Sequence, residues 1–146
     1  MPGVRPKSAW PEGRIVRLAH HSEVLASNPW NDPVERELAV YLPHAYSEAG
    51  TPYVALWDLA AYTNSGQGHL NWRNHGENLQ SRLDRLIGSG VMEPAVVVVP
   101  DCYTSLGGNQ YVNSPAVGRY ADYLVEELLP FVEKQFNVVK SRDGRA

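Results

Sequence analysis

A short apolar run near the middle of the chain predicts the centre of a β-sheet. Ala95 is followed by four valines, and Pro100 and Asp101 end the run. β-branched residues disfavour a helix, and a run this short that is apolar on both pleat faces is typical of a strand buried on both sides. We therefore predict a central strand of a mostly parallel sheet, with helices covering both faces.

Three earlier segments also have strand patterns. Residues 13–21 are bounded by turn residues, and residues 35–43 alternate between apolar and polar positions. The apolar positions on one side of the second segment are Leu38, Val40 and Leu42. The loop at residues 26–33 separates these two segments, which predicts an antiparallel pair at the start of the sheet. Residues 52–57 are apolar on both faces and predict a third strand.

Two segments repeat their apolar residues with helical spacing. Leu79, Leu83, Leu86 and Ile87 predict an amphipathic helix within residues 76–90, closed by glycine. A second stripe runs through residues 120–136, with Ser114-Pro115 as its expected start signal and Pro130 as an expected kink. The succession of strand, helix, strand and helix indicates an α/β fold.

Composition limits the kind of protein this can be. The chain has 146 residues, of which 43% are hydrophobic and 20% are charged, and this predicts one globular domain. Its first twelve residues hold three prolines, so we expect residues 1–12 to be a flexible arm and residues 13–146 to form the domain. The net charge is −3 and the basic residues are scattered, which argues against nucleic acid as a partner.

The same sequence shows neither an apolar membrane span nor a signal peptide, so we expect a cytoplasmic protein that does not bind membranes. The single cysteine, Cys102, rules out an internal disulfide.

Polar loops follow two of the predicted strands. Ligands of α/β sheets gather at the carboxyl ends of strands, so we expect residues 58–66 and 101–114 to lie together and to form the site. The candidate substrate-binding residues are Asp58, Tyr62, Asp101, Tyr103 and Asn109. Aromatic side chains around these loops either line an acyl pocket or cover the end of the sheet, and the sequence favours neither role. They are Trp57, Tyr62, Trp72, Tyr103 and Tyr111.

Other chemistry is less well supported. The five histidines lack the spacing of metal ligands, so we expect no metal and no cofactor. A nucleophilic Cys102 has no histidine close in sequence to act as its base, which favours a small buried residue. Asp58 and Asp101 either form a carboxylate pair or, as we favour, accept hydrogen bonds in turns.

The order of several motifs resembles a known family. They are residues 35–42, residues 94–101, Gly107-Gly108-Asn109, and the helical residues 126–130. Together they resemble the amino-terminal half of the putative esterase family. This family has the α/β-hydrolase fold and includes enterochelin-esterase-like, S-formylglutathione-hydrolase-like and mycolyltransferase-like proteins. The resemblance implies a sheet with an antiparallel start followed by parallel strands.

The resemblance also implies serine ester hydrolysis of a small-molecule ester by the full-length relative. Such enzymes carry the nucleophile in a G-x-S-x-G turn, and the 146 residues contain no such pentapeptide. Residues 140–146 stand where the family begins the nucleophile strand, so the catalytic serine, acid and histidine have no positions here. Only the first oxyanion-hole amide can be carried over: Ala60 is the aligned donor and Leu59 is the next candidate.

We therefore expect the amino-terminal portion of a carboxylesterase-like hydrolase that ends before the nucleophile strand. The alternative is a non-catalytic α/β module that mediates interaction or oligomerisation. In the family's strand order, the strand at residues 52–57 has the valine strand on one side only, which leaves an edge exposed at Val54 and Leu56. An unpaired apolar edge favours a homo-oligomer or self-association through that edge.

Overall fold

The computed structural model describes residues 7–146, so the first six residues of the predicted arm lie outside the described residues. Four strands form one sheet in the order β1-β2-β4-β3. They are β1 (Arg14–His21), β2 (Glu35–Leu42), β3 (Val54–Trp57) and β4 (Ala95–Pro100). β1 pairs with β2 and β2 with β4 in antiparallel fashion, whereas β3 is parallel to β4. The predicted strands and the antiparallel start are confirmed, but two of these three pairings are antiparallel, so the described sheet is mixed rather than mostly parallel.

The valine strand lies between two layers of helix, as the sequence predicts. Val96 and Val98 pack in a core that includes Tyr120, Tyr123 and Leu128 from the last helical segment. Val97 and Val99 pack on the opposite face with Leu83. All six residues of β4 are buried, which explains why both of its pleat faces are apolar.

Two helices lie between β3 and β4, and the longer one is the predicted amphipathic helix. α1 (Gly66–Leu70) is short, and α2 (Leu79–Gly88) packs on the sheet through Leu83. Asn78 caps α2 because its side chain accepts from the Ser81 N–H, while the Ser81 hydroxyl accepts from the Asn78 N–H. Gly90 follows with φ +74°, a left-handed conformation that suits glycine and ends the helix.

The last helical segment begins later than the sequence predicts and contains a wide turn. Ser114-Pro115 does not start it, because β5 (Asn113–Ser114) and β6 (Gly118–Arg119) pair there as a small antiparallel ribbon. The helical residues are α3 (Tyr120–Asp122), a π-helical stretch (Tyr123–Leu128) and α4 (Leu129–Gln135). The Leu129 N–H donates to the Leu124 carbonyl, five residues back. The sequence predicts a kink at Pro130, because proline has no N–H to donate. The irregularity in the structure is the π-helical stretch, which ends just before Pro130.

The outer edge of β3 is covered by the chain's own carboxyl-terminal residues, so the prediction of a bare edge is wrong. The segment after α4 returns alongside β3 and contains a single 3₁₀ turn (Arg142–Gly144). Parallel bridges join Tyr53 to Val138 and Ala55 to Arg145. The predicted strand order itself is correct, because β4 occupies the other edge of β3. The backbone bonds along the covered edge run from Tyr53 N–H to Asn137 O (3.0 Å), Val139 N–H to Tyr53 O (2.9 Å), Ala146 N–H to Ala55 O (3.0 Å) and Trp57 N–H to Ala146 O (2.6 Å).

Part of the predicted arm lies against α2. Trp10 and Pro11 lie against Gly88, and the Gly13 N–H donates to Asp84 Oδ1 at 2.7 Å.

Within residues 7–146, no helix has both the length and the apolar character that crossing a membrane requires.

Candidate active site

The two polar loops that follow β3 and β4 meet at one end of the sheet, as predicted. The Tyr111 hydroxyl donates to the Ala60 carbonyl at 2.5 Å, and the Tyr62 hydroxyl lies 3.5 Å from the Leu106 carbonyl. Because β3 and β4 are parallel, their carboxyl ends lie on the same side, and this brings the loops together.

Both loops contain residues in uncommon backbone conformations. Thr63 has φ +67° and Tyr111 has φ +56°, and a positive φ is especially rare for a β-branched residue such as threonine. The loops also approach closely at Gly108, where an added Cβ would lie 2.7 Å from the Thr63 nitrogen. Only glycine fits at Gly108 without displacing the neighbouring backbone. Strained residues of this kind cluster at functional sites.

Asn109 holds the second loop in shape from within. Its Nδ2 donates to the Cys102 carbonyl at 2.9 Å, and its Oδ1 accepts from the Tyr111 N–H at 2.6 Å. The side chain is buried, so both of its polar ends are satisfied by the protein. Asn109 therefore fixes Tyr111, which in turn fixes Ala60.

The two predicted oxyanion-hole residues lie directly beyond the end of β3. The Asp58 N–H still pairs with the Val98 carbonyl at 2.8 Å, and the ladder ends there. Within residues 7–146, the N–H groups of Leu59 and Ala60 have no hydrogen-bond acceptor. Ala60 is buried, whereas Leu59 is 43% exposed. Unpaired amides at this position can donate to an oxyanion.

Asp58 forms a pair that the sequence did not suggest. Its Oδ2 lies 2.6 Å from Nδ1 of His69, and both side chains are only partly exposed. His69 lies in α1, so this contact ties α1 to the end of β3. His69 lacks the spacing of a metal ligand, so the sequence predicts an ordinary surface or hydrogen-bonding histidine, and α1 is too short for its periodicity to reveal this contact.

Asp101 faces a buried arginine instead of a second carboxylate. Its Oδ1 accepts from the Tyr103 N–H at 3.0 Å, and its Oδ2 lies 3.4 Å from Arg36 Nη1. Arg36 also donates to the Tyr103 carbonyl (2.8 Å) and to the Tyr120 hydroxyl (2.9 Å). The turn-forming role favoured for Asp101 is confirmed. Asp58 differs, since its carboxylate accepts from a histidine.

Cys102 has the properties of a buried structural residue. It is 4% exposed, and burial, with a further contribution from Asp101, raises the pKa of its thiol to about 12. A thiol that is neutral at physiological pH is a poor nucleophile. Within residues 7–146, no three His, Cys, Asp or Glu side chains converge in a way that could hold a metal ion.

Two cavities border the meeting point of the loops. One of about 200 Å³ is lined by Tyr62, Leu106, Asn109 and Val112, among others. The other, of about 280 Å³, is almost wholly apolar. It lies beside the carboxyl-terminal residues, and its lining residues are Trp57, Leu59, Leu124, Val125, Leu129, Arg145 and Ala146.

The predicted site residues thus lie at different places around the two loops. Tyr62 and Asn109 share the smaller cavity, and Leu59 lines the apolar cavity. Asp101 points to Arg36, and Tyr103 is half-exposed beside it.

Comparison with known proteins gives the family. The family model described as "Putative esterase" matches residues 33–146, more than three quarters of the chain. The chain belongs to the putative esterase family. The predicted resemblance is confirmed, and the matched range contains β2, β3, β4 and both polar loops.

Solved structures place this putative esterase in the α/β-hydrolase fold. A ferulic acid esterase is 24% identical with a TM-score of 0.70, and the match covers 92% of this chain and 48% of that chain. A ferulic acid esterase from the anaerobic fungus Anaeromyces mucronatus is 17% identical with a TM-score of 0.68, covering 97% of this chain and 51% of that one.

A third structure is an S-formylglutathione hydrolase from Agrobacterium tumefaciens. It is 20% identical with a TM-score of 0.51, and the match covers 96% of this chain and 49% of the hydrolase. Identities this low show a shared fold and no more. The putative esterase spans about half the length of the structures it matches.

Proposed function

We propose that this chain forms the oxyanion side of an ester hydrolase and that its serine nucleophile comes from polypeptide outside the 146 residues. The main support is that the N–H groups of Leu59 and Ala60 have no acceptor within residues 7–146. Both residues lie at the carboxyl end of β3, where the Tyr111 hydroxyl bonds to the Ala60 carbonyl. The sequence contains no G-x-S-x-G, which is why the nucleophile is sought elsewhere.

The proposed chemistry assigns each part a role. Attack by a serine oxygen on an ester carbonyl forms a tetrahedral intermediate, and the former carbonyl oxygen becomes an anion. Amides fixed in advance stabilise that anion because they need no reorganisation during the reaction, and losing one such donor slows the chemical step by roughly 100- to 1,000-fold in serine hydrolases. In this proposal the Ala60 N–H is the first donor and Leu59 is the alternative.

The substrate is a carboxylic ester of a small molecule, and the cavity beside Tyr62 and Asn109 is where we place part of it. This cavity of about 200 Å³ has an aromatic ring and apolar side chains on its walls. Asn109 shapes the cavity rather than binding the substrate, because both ends of its amide already bond to the protein.

The test compares the 146-residue chain with the same chain extended by the following codons of its reading frame. We expect the shorter chain to hydrolyse p-nitrophenyl acetate no faster than a heat-denatured control. We expect an extended chain that contains G-x-S-x-G to hydrolyse it, and to lose activity when that serine is changed to alanine. An extended chain with the motif but without esterase activity would contradict the proposal. Activity of the shorter chain that is lost in Cys102→Ala would assign catalysis to the thiol.

A second candidate function is a non-catalytic module that associates with a copy of itself. The apolar cavity of about 280 Å³ favours it, because Val125 on its rim is 63% exposed. Exposed apolar surface of this kind is common at protein interfaces. In this candidate the apolar cavities of two copies face each other, next to the carboxyl-terminal residues that cover β3.

A further inference from the structure

A third cavity lies between α2 and the loop that precedes it, among residues that the proposed ester site does not use. Its volume is about 410 Å³. Two tryptophans, Trp10 and Trp72, line it together with the cationic side chains of Lys7 and Arg73. Polar side chains provide most of the remaining wall, and they include Ser8, Asn74 and His75.

The wall that carries Trp10 is fixed to α2. Trp10 packs so closely that a Cβ on Gly88 would lie 3.2 Å from the indole ring. Further along, the Gly13 carbonyl accepts from Gln80 Nε2 at 3.0 Å, and the Gly13 N–H donates to Asp84 Oδ1 at 2.7 Å. These contacts hold Trp10 in place before any ligand arrives.

The wall that carries Trp72 is fixed at its carboxyl end. Asn78 Nδ2 donates to the Leu70 carbonyl at 3.1 Å, and this spans the loop that contains Trp72. Glu77 accepts from Arg85 through bonds of 2.5 Å and 2.9 Å, and Gly76, which precedes Glu77, has φ +83°. A loop held in this way loses less entropy when it binds a ligand.

Both indoles remain open to solvent. Trp10 is 38% exposed and Trp72 is 51% exposed. Within residues 7–146, neither indole N–H donates a hydrogen bond, whereas Trp30, which lies outside the cavity, donates to the Ala116 carbonyl at 2.7 Å. Exposed tryptophans beside unused polar groups are typical of a binding surface, because the ring offers a large apolar face and a donor at its edge.

The charge of this cavity is opposite to that of the whole chain. The chain has a net charge of −3, yet Lys7 and Arg73 form no ion pair with a carboxylate of the described residues. Glu77 is the acidic side chain in the lining, and Arg85 already neutralises it; this pairing holds the pKa of Glu77 below its usual range. The cavity is therefore a local cationic site that favours an anionic ligand.

We propose that this cavity binds a saccharide unit that carries a carboxylate. The C–H face of a sugar ring stacks on the exposed indole of Trp72, and the carboxylate pairs with the guanidinium of Arg73, whose geometry suits two parallel hydrogen bonds. Hydroxyls of the ring bond to Asn74 and Ser8. An open cavity whose lining combines two indole rings with polar side chains suits a ring with one apolar face and several hydroxyls better than it suits a fully aromatic acid. This inference is independent of the proposed ester hydrolysis.

The test is a binding titration on the 146-residue chain, in which tryptophan fluorescence and calorimetry both detect binding. The probes are trigalacturonate as the acidic saccharide, maltotriose as the neutral one and benzoate as an aromatic acid. We expect saturable binding of trigalacturonate with a Kd of about 1 mM or tighter, and weaker binding of maltotriose. Raising the salt concentration should weaken the binding of trigalacturonate, because screening acts on the exposed Arg73 contact.

Variants assign the binding to this cavity. We expect Trp72→Ala to weaken binding by about tenfold or more, as truncation of a central aromatic contact commonly does, and Arg73→Gln to remove the preference for the acidic saccharide. Trp30→Ala, an equally exposed tryptophan outside the cavity, should bind as the unaltered chain does, and circular dichroism checks that each variant is folded. The proposal is overturned if trigalacturonate does not bind, if Trp30→Ala weakens binding as much as Trp72→Ala, or if benzoate binds the same site more tightly than the saccharide.

Discussion

At the scale of single residues, Tyr111 connects the two loops of the candidate site. Its backbone has φ +56° and is held by Asn109, while its hydroxyl reaches the Ala60 carbonyl on the other loop. Burial is the main cause that raises the pKa of Tyr111 to about 12, so the hydroxyl keeps its proton and remains a donor throughout the physiological range. The sequence predicts that Tyr111 lies in the second loop but gives no sign of this bond.

Replacing Tyr111 by phenylalanine tests the connection. The change leaves the Ala60 carbonyl without its partner, and we expect the free energy of unfolding to fall by about 1 to 2 kcal/mol. We also expect faster hydrogen exchange at the amides of residues 59–63, because the loop is no longer held. Urea unfolding and hydrogen exchange measured by mass spectrometry check both effects.

Tyr103→Phe is the matched control, because Tyr103 is 45% exposed and its hydroxyl has no hydrogen bond within the part of the chain that the structure describes. If Tyr111→Phe exchanges no faster than this control, the Tyr111 hydroxyl does not hold the loop.

Arg36 shows why the site could be predicted only in part. A charged residue at the start of β2 is expected to face solvent, yet Arg36 is buried. Its partners, Asp101, Tyr103 and Tyr120, lie more than sixty residues further along the chain. Predicting their convergence would require knowing the packing of the whole domain, which residue spacing does not provide.

At the scale of elements, the π-helical stretch holds the connection between β1 and β2. Glu127 lies in this stretch and accepts from the Ser22 hydroxyl at 2.5 Å, the Glu23 N–H at 2.8 Å and the Val24 N–H at 2.9 Å. Burial acts to raise the pKa of Glu127, but these hydrogen bonds outweigh it and hold the pKa below its usual value. The ionised form is therefore the one that stabilises the fold.

We expect Glu127→Gln to lower the free energy of unfolding at pH 7 by about 1 to 3 kcal/mol, as loss of hydrogen bonds to a charged group does. Because the pKa of Glu127 is lower in the folded state than in the unfolded state, its stabilising effect is present above a pH of about 4.5 and is lost as the pH falls through the folded-state pKa. The difference between the two proteins should therefore shrink in acid. Urea unfolding at a series of pH values measures this.

Glu126→Gln is the control for that series, since Glu126 is the adjacent residue and its side chain is 59% exposed. Equal losses for the two variants at pH 7 would show that the Glu127 contacts do not hold the connection.

The elements themselves were predicted as well as their local patterns allow. The strands and α2 were predicted because their apolar residues repeat with strand and helix periods over enough residues. α1 has five residues, two of them glycine, so no pattern could reveal it. The segment that covers β3 was missed because its two valines, Val138 and Val139, are followed by residues 140–145, which are mostly polar and charged. It also pairs through backbone groups, whose positions side-chain patterns do not report.

At the scale of the whole molecule, the edge of β3 is covered, so it cannot mediate the self-association that the sequence predicts. The backbone groups of Tyr53, Ala55 and Trp57 on that edge bond to the chain itself. The apolar cavity with Val125 on its rim is another surface for self-association, where two copies would bury side chains instead of pairing through β3.

We expect the chain to elute as a species larger than a monomer in size-exclusion chromatography with light scattering. Val125→Lys should shift it towards the monomer, because burying the added charge in an apolar interface is unfavourable. Val91→Lys is the matched control, since Val91 is 75% exposed and lies outside the cavity. A monomer at every concentration, or equal shifts for both variants, would contradict the self-association candidate.

The burial of Cys102 has a practical consequence for following the motion of this molecule. It is the only thiol in the chain, it is 4% exposed, and its carbonyl is bonded by Asn109 at the base of the second loop. Cys102 also packs in the core that includes Tyr120 and Tyr123, so a reagent such as Ellman's can reach it only when this packing opens. The rate at which the reagent labels Cys102 in the folded chain is divided by the rate in the unfolded chain. This ratio gives the fraction of time for which Cys102 is accessible. The protein thus carries an intrinsic reporter of site opening that requires no introduced label.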